Sequence, residues 1–552
     1  MLNNEAIRNM TGLATASEYQ MNIFRHGLAA IEAYSNGDTV NNCVVQAVAG
    51  SGKTTTIVGF SNLIPTTMNA IFLAFNKSIA DELKERLPQH VQARTLNSLG
   101  FGILRKYVEE TKVRNLPPVR SWTAGNKTWK IIRDTFDRVE VSNYGKDIAF
   151  LVAKAKSFGI VSADLEGQMV DGVEYRSANG LRDEKATWDH IVSHFGHTLD
   201  YASRDKVYAM ASQVLSISIQ TLALVDFDDQ KYLPVVMFPN GKPMKARKFD
   251  AIIVDEVQDV NAIDILLARL SLKKNGVVMG VGDANQAIYG FRGASTDAVA
   301  KFASEFGCSE LPLTVSYRCS KAVVNAARAV HETIEHADNA PEGLVEGLDK
   351  YTSEVFSARN EDMVICRNNA PIVDFAYKLI RARVPVYVKG RDIGKGLISL
   401  VEQMKANNVS DLSSKLNIWV AQQTDIILAN DPDDEEAVER MLDRVATIKV
   451  FVEHNVDGRV DSVINDIESL FNTSSSDKKE SFDIKGKVVL STMHKSKGLE
   501  ADHVFILNPG LLYPRYISEG TWQWDQEKNL EYVAITRAKT TLTYIEADEF
   551  VS

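Results

Sequence analysis

The segment Ala47-Val48-Ala49-Gly50-Ser51-Gly52-Lys53-Thr54 joins an apolar run to a helix-like one and has the residue types of a phosphate-binding loop. Glycines let backbone N–H groups close around phosphate oxygens, and the following helix offers its positive end. Ala49, Gly50, Ser51 and Gly52 line such a loop, Lys53 is expected to reach the β and γ phosphates, and Thr54 to ligate Mg²⁺. The motif's usual first glycine is Ala47 here. A second group narrows the reaction: the apolar run Ala251–Val254 delivers Asp255-Glu256-Val257-Gln258-Asp259 at its C-terminal end, where ligands bind in open α/β sheets. Asp255 is expected to hold Mg²⁺, directly or through water, and Glu256 to orient and deprotonate an attacking water.

These groups need buried strands to aim them. Short apolar runs recur at Cys43–Val48, Ala70–Phe75, Ala251–Val254, Val277–Val281, Leu311–Val315, Val488–Ser491, Val504–Leu507 and Thr541–Ile545, with Gly- or Asp-containing turns and helix-like stretches after them. The pattern predicts an α/β protein with parallel sheets whose strands fall into two groups. Between the second and third runs, residues 102–223 have helical periodicity and scattered basic residues: Arg105, Lys106, Lys112, Arg114, Arg120, Lys127 and Lys130. This stretch reads as a helical insertion. A second insertion, 394–483, carries the acidic run Asp431–Glu436, expected to be a solvated face.

At 552 residues the chain exceeds what one hydrophobic core organises. Its 45% hydrophobic and 24% charged residues exclude a disordered or fibrous class. No apolar run approaches the roughly 20 residues that span a bilayer, and the N-terminus lacks a basic-then-apolar signal pattern. The expected location is therefore intracellular, with no membrane partner. Cys43, Cys308, Cys319 and Cys366 lack the spacing of a zinc site or disulfide framework and are expected to be buried thiols. The net charge of −10 argues weakly, on a whole-chain basis, against a nucleic-acid partner.

Further segments follow in a fixed order: Gly282-Asp283-Ala284-Asn285-Gln286-Ala287-Ile288-Tyr289-Gly290-Phe291-Arg292-Gly293-Ala294, Ser316-Tyr317-Arg318, Thr492 to Glu500 (TMHKSKGLE) and Tyr532 to Ala538 (YVAITRA). Together with the first two groups they resemble superfamily 1 helicases of the UvrD/Rep/PcrA type over nearly the full chain. The stretch Phe72 to Ala80 is similar to a segment of the eukaryotic F-box DNA helicase and of phage-encoded relatives, although no F-box region is evident. The resemblance implies that ATP is the nucleotide. It assigns Gln20 to adenine, Tyr317 to stacking on the base, Gln286 to the γ-phosphate and Glu500 to the nucleotide. It makes Arg318 and Arg537 arginine fingers that neutralise transition-state charge. Thr55 stands where the family often has a basic residue against the base, so adenine selectivity is expected to be looser.

The resemblance also implies a single-stranded DNA groove lined by Phe75, Asn76, Thr95, Ser98, Tyr289, Phe291, Arg292, Thr492 and His494. Two departures bear on it: Phe291 replaces a frequent Trp, and Leu96-Asn97 stands where the family often has an aromatic-His pair. The expected architecture is two RecA-like P-loop NTPase cores with parallel sheets, each carrying a mainly helical insertion. The first core is expected over 1–101 and 224–300, around 102–223. The second is expected over 301–393 and 484–552, around 394–483. Fifteen residues follow Arg537, so a C-terminal extension is expected to be lacking.

The implied activity is an ATP-dependent, 3′–5′ DNA helicase and single-strand translocase acting at single/double-strand junctions in replication, recombination or repair, with proteins of those processes as partners. A bacterial or phage origin would place it in the cytoplasm with the nucleoid. The alternatives are a translocase that strips recombinase or other proteins from single strands without net unwinding, and a nucleotide-switched binding protein without motor activity.

Overall fold

The computed structural model describes residues 3–111, 127–195, 197, 199, 202–222, 224–288, 297–348, 361–430, 435–471 and 485–546. Two compact units result: Met1–Ala47 with Gly52–Thr314, and Val48–Ser51 with Val315–Ser552.

In the first unit the strands are β1 (Asn42–Ala47), β2 (Ala70–Ala74), β3 (Val91–Thr95), β4 (Met169–Val170), β5 (Val173–Tyr175), β6 (Met237–Pro239), β7 (Phe249–Val254), β8 (Leu272–Gly282) and β9 (Cys308–Leu313). Six of them form a parallel sheet in the order β3-β2-β7-β8-β1-β9. β2 and β7 are buried along their whole length because both faces of the sheet are covered. Alternation sends Val44, Ile71, Ile252 and Val278 to one apolar cluster and Val45, Phe72, Ile253 and Met279 to another.

The first of these clusters runs without a break into the first insertion, through Ile132, Ile148, Leu151, Val214 and Tyr232. The insertion is mainly helical, with a small antiparallel sheet in the order β4-β5-β6. Among the described residues, several of its basic side chains are engaged in local pairs. Arg105, Lys106 and Lys130 pair with Glu109, Glu110 and Asp134 one helical turn away. Lys127 is fully buried, 2.6 Å from Asp229 Oδ2 and donating to the Ser218 carbonyl at 2.7 Å. Lys156 lies 2.8 Å from Asp229 Oδ1 and 2.9 Å from Asp226. Lys112, Arg114 and Arg120 lie outside the described residues.

In the second unit the strands are β10 (Val315–Ser316), β11 (Glu335–His336), β12 (Leu344–Leu348), β13 (Met363–Cys366), β14 (Val386–Lys389), β15 (Val488–Thr492), β16 (Ala501–Leu507) and β17 (Ala538–Ile545). A second parallel sheet has the order β12-β17-β16-β13-β15-β14. Its core continues into the second insertion, whose helices bring Leu397, Leu416, Ile448, Phe451 and Ile467 against Val364, Val488 and Leu490.

Three expected boundaries move. The first core runs to Thr314 rather than 300, because β9 pairs with β1 at the edge of the first sheet. The helix Leu96–Thr111 crosses the expected 101/102 boundary, so no break exists there. The first insertion also extends past 223, since β6 pairs with β5 and the first sheet resumes only at β7. Cys43, Cys319 and Cys366 are buried, whereas Cys308 on the edge strand is half-buried; all four are free thiols. Among the described residues no helix is long and apolar enough to cross a membrane.

Candidate functional site

The candidate nucleotide-binding residues of the first unit lie at the C-terminal ends of β1, β7 and β8. Gly52, at φ +86°, caps the helix Lys53–Leu63 with no side-chain acceptor on its first turn, which leaves that turn's amides to a ligand. Lys53 follows directly, and its Nζ rests 3.1 Å from the Ala47 carbonyl. Thr54 and Thr55 occupy the same first turn.

Asp255 directly follows β7 and is almost fully buried, its Oδ1 accepting from the Glu256 amide at 2.9 Å. Burial first, and then the Glu256 carboxylate, push its carboxyl up to about 7, against the pull of Lys53. Glu256 holds a left-handed backbone at φ +52°, a strained state for a non-glycine residue that re-aims its side chain. A hydrogen-bonded chain continues from there. Gln258 Nε2 donates to Glu256, Gln258 Oε1 accepts from the Asp283 amide at 2.9 Å, and Gln286 Nε2 donates to Asp283 Oδ2 at 2.7 Å. A Cβ at Gly282 would fall 2.4 Å from Gln258 Oε1, so glycine is required for this approach. Burial raises Asp283 as well, again opposed by Lys53.

The structure therefore joins Lys53, Asp255, Glu256 and Gln286 in one electrostatic unit. The sequence motifs contained Gln258 and Asp283 without marking them as the links. Gln20 is the third residue of its helix, closing a capping box with Ser17 and donating to Thr56 Oγ1 at 3.1 Å. Both ends of its amide are thus engaged within the first unit.

In the second unit, Tyr317 is 55% exposed and its amide donates to the Gly50 carbonyl at 2.9 Å. The amide of Ala49, in the short loop grouped with this unit, donates to Tyr532 Oη at 3.3 Å, and Ser51 Oγ donates to the Val48 carbonyl. Arg318 Nε lies 2.7 Å from Glu500, which also pairs with Lys539 at 3.0 Å. Burial opposes the Glu500 charge, but Arg318 and Lys539 hold its carboxyl below the usual range. Arg537 is 2% exposed and donates to the Val533 and Leu499 carbonyls. Burial, and then the neighbouring Arg318, push its guanidinium down to about 10.

The strand candidates separate by unit. In the first, Phe75 lines a cavity of about 330 Å³ with Lys154, Lys231 and Asn261. Asn76 caps the helix Lys77–Arg86, and Thr95 Oγ1 accepts from the Ser98 amide at 3.1 Å. Leu96 is buried in the core, while Asn97 Nδ2 donates to the Phe227 carbonyl at 2.7 Å. Phe227 opens the helix Phe227–Val236 with its ring 74% exposed, beside the Thr95–Ser98 turn. The two helices meet where Gly100 permits it, since a Cβ there would lie 2.1 Å from the Gln230 carbonyl. Sequence reading missed Phe227; its only signal was an aromatic residue starting a helix after Asp226.

In the second unit Thr492 and His494 line a common cavity with Arg367 and Asn369. Burial, with Arg367 adding to it, pushes the His494 imidazole down to about 3, so it is neutral and both donates and accepts. Tyr289, Phe291 and Arg292 lie outside the described residues.

The family model for the UvrD/REP helicase N-terminal domain matches residues 30–307, and that for the UvrD-like helicase C-terminal domain matches 396–549. The chain is 22% identical to F-box DNA helicase 1 of Gallus gallus and 24% identical to F-box DNA helicase protein 1 of Schizosaccharomyces pombe, over 90% of its own length and 46% and 55% of theirs. It is also 24% identical to the ATP-dependent DNA helicase PcrA of Staphylococcus aureus, over 90% of its own length and 80% of that protein. The chain thus spans about half the length of the first two relatives.

Proposed function

Because the chain belongs to the UvrD/REP helicase family, we propose that it is an ATP-driven motor that moves 3′–5′ along single-stranded DNA and opens duplex ahead of it. The observation that carries this reading is the chain of contacts from Glu256 through Gln258 and Asp283 to Gln286, beside Lys53. Glu256 takes the proton from the attacking water, and Gln258 fixes its orientation. Gln286, anchored on Asp283, reports the state of the γ-phosphate to the segment that follows it in sequence.

Mg²⁺ fits here: the carboxylate of Asp255 is buried and repelled by Glu256, so a cation would compensate it, with the Thr54 hydroxyl as second ligand. The ion supplies charge neutralisation for the phosphates. The second unit's proposed contribution to the nucleotide is Tyr317, Arg318, Glu500 and Arg537. The strand is proposed to follow Phe75, Asn76, Thr95, Ser98, Thr492 and His494, with Tyr289, Phe291 and Arg292 completing the path.

The deciding experiment measures ATP hydrolysis with and without single-stranded DNA, together with unwinding of duplexes carrying either a 3′ or a 5′ tail. Strand-stimulated hydrolysis and opening of 3′-tailed duplex are expected. Hydrolysis indifferent to DNA would contradict the motor, and preference for 5′ tails would contradict the polarity.

Phe227 is proposed to supply the aromatic platform that Leu96-Asn97 does not. Stacking on one base is worth about 1–3 kcal/mol. Phe227→Ala should therefore weaken oligonucleotide binding by about 5- to 150-fold. Nucleotide affinity measured without DNA should not change, and a change there alone would remove Phe227 from the strand path.

A further inference from the structure

Two chain segments of the second unit are tied by backbone hydrogen bonds to the start of β17. Ala501, at the head of β16, donates its amide to the Arg537 carbonyl at 3.1 Å and is the register partner of Ala538. Ser320, two residues after Arg318, donates its amide to the Lys539 carbonyl at 2.7 Å. Arg318, Glu500 and Lys539 thus each lie on, or within two residues of, a fixed backbone point. Lys539 directly follows the Thr536-Arg537-Ala538 segment, and nothing in the motif itself marks it.

The three side chains converge on Glu500. Its Oε2 lies 2.7 Å from Arg318 Nε and its Oε1 lies 3.0 Å from Lys539 Nζ, so each carboxylate oxygen serves a different cation. Arg318 also donates to the Thr536 carbonyl at 3.3 Å. Its guanidinium is therefore already engaged by the protein, and it must give up the carboxylate before it can serve a phosphate. Lys539 lowers the cost of that exchange. Two like charges on one carboxylate repel each other, which loosens the hold of Glu500 on Arg318. When Arg318 leaves, the carboxylate it abandons still has a partner. The side chains of Lys539 and Glu500 are 37% and 40% exposed, so the contribution is that of a solvated ion pair rather than a buried one.

We propose that Lys539 is a positioning residue for hydrolysis: by sharing the Glu500 carboxylate it makes Arg318 available to the terminal phosphate of the nucleotide. The inference rests on the proposed assignment of Arg318 and Glu500 to the nucleotide. Lys539 acts through Glu500 and needs no nucleotide contact of its own.

The test follows steady-state ATP hydrolysis by the full chain with saturating oligodeoxythymidylate, beside ADP affinity and a thermal melt for each variant. Lys539→Ala should lower kcat by about 2- to 5-fold, the scale of one exposed ion pair. ADP affinity and the melt should stay at wild-type values, because ADP offers Arg318 no terminal phosphate. Lys539→Arg should restore kcat. In a Glu500→Gln background, Lys539→Ala should have no further effect, since the shared charge is already gone. An unchanged kcat in Lys539→Ala, or a loss that persists in full beside Glu500→Gln, would overturn the proposal. A fall in ADP affinity that matches the fall in kcat would also overturn it, because Lys539 would then serve the nucleotide contact of Glu500 instead of Arg318. Arg318→Ala separates the two readings. Wild-type turnover in that variant removes Arg318 from the site and this proposal with it, whereas a strong loss there beside a wild-type Lys539→Ala removes Lys539 alone.

Discussion

Lys53→Ala is expected to lower strand-stimulated ATP turnover by about 10²-fold or more, the scale for removing one preorganised charge-stabilising donor from an active site. The structure gives the physical reason. The Lys53 ammonium rests on the loop's own Ala47 carbonyl and opposes the rise of both Asp255 and Asp283, so it sits at the centre of the site's charge balance. Its loss removes the cation facing the β and γ phosphates and leaves two buried carboxyls further biased towards their protonated forms. The fold should not depend on it: Lys53 is only partly buried and its ammonium rests on a loop carbonyl, so unfolding free energy should stay within about 0.5 kcal/mol of wild type. Steady-state hydrolysis with saturating oligonucleotide, beside a denaturant melt, checks both statements. Substantial residual turnover in a folded variant would contradict the assignment of the loop.

Asp229→Asn should act in the opposite sense, on stability. Asp229 is fully buried between the Lys127 and Lys156 ammonium groups, and the helix Phe227–Val236 that presents Phe227 also carries it. Burial opposes its charge, but Lys156 and then Lys127 outweigh that and hold the carboxyl below the ordinary aspartate range. Neutralising it leaves buried cations without their shared carboxylate, a loss of about 3–5 kcal/mol.

The sign with pH follows. A carboxyl depressed in the folded state contributes stability that is present above its unfolded value and lost as pH falls through the folded one. The gap between wild type and Asp229→Asn should thus be full at neutral pH and shrink below about pH 4. Replacing Lys127, Lys156 and Asp229 together by apolar residues should restore much of the loss, because the cost lies in uncompensated charge rather than in missing attraction. A single variant as stable as wild type at pH 7 would contradict this account.

The central strands were legible in the sequence because parallel strands covered on both faces carry near-continuous apolar runs, as at Ala70–Ala74 and Ala251–Val254. Edge strands carry no such signal. β3 reads Val-Gln-Ala-Arg-Thr and is only partly buried, and β9 contains Pro312, which an edge tolerates. That is why β9 was assigned to the wrong sheet and the core boundary fell too early. Within the site, contiguous motifs exposed Lys53, Asp255 and Glu256, since strand, turn and helix lie next to one another in the chain.

Gln258 and Asp283 were legible as residues but not as a link, because their contact joins the ends of two neighbouring strands separated by a crossover. Phe227 was invisible for a stronger reason. It depends on where an insertion helix returns to its core, which is fixed by Asn97 and Gly100. The overall charge of −10 likewise says nothing of local placement: acids are engaged at helix caps such as Asp226 and in buried pairs such as Lys127–Asp229.

The strand order of the first sheet also sets a timetable for synthesis. β1, which carries the phosphate loop, lies between β8 and β9 and has no neighbour close to it in sequence. Roughly 230 residues must leave the ribosome after β1 before its first partner appears, an interval of roughly 10–50 s at typical elongation rates. Throughout that time an apolar strand with unpaired backbone groups is presented beside an insertion that shares its core and has nothing yet to pack against. The nascent chain is therefore most open to misassociation while its most conspicuous motif is already complete, and nucleotide cannot stabilise that motif until β7 and β8 have closed the sheet around it.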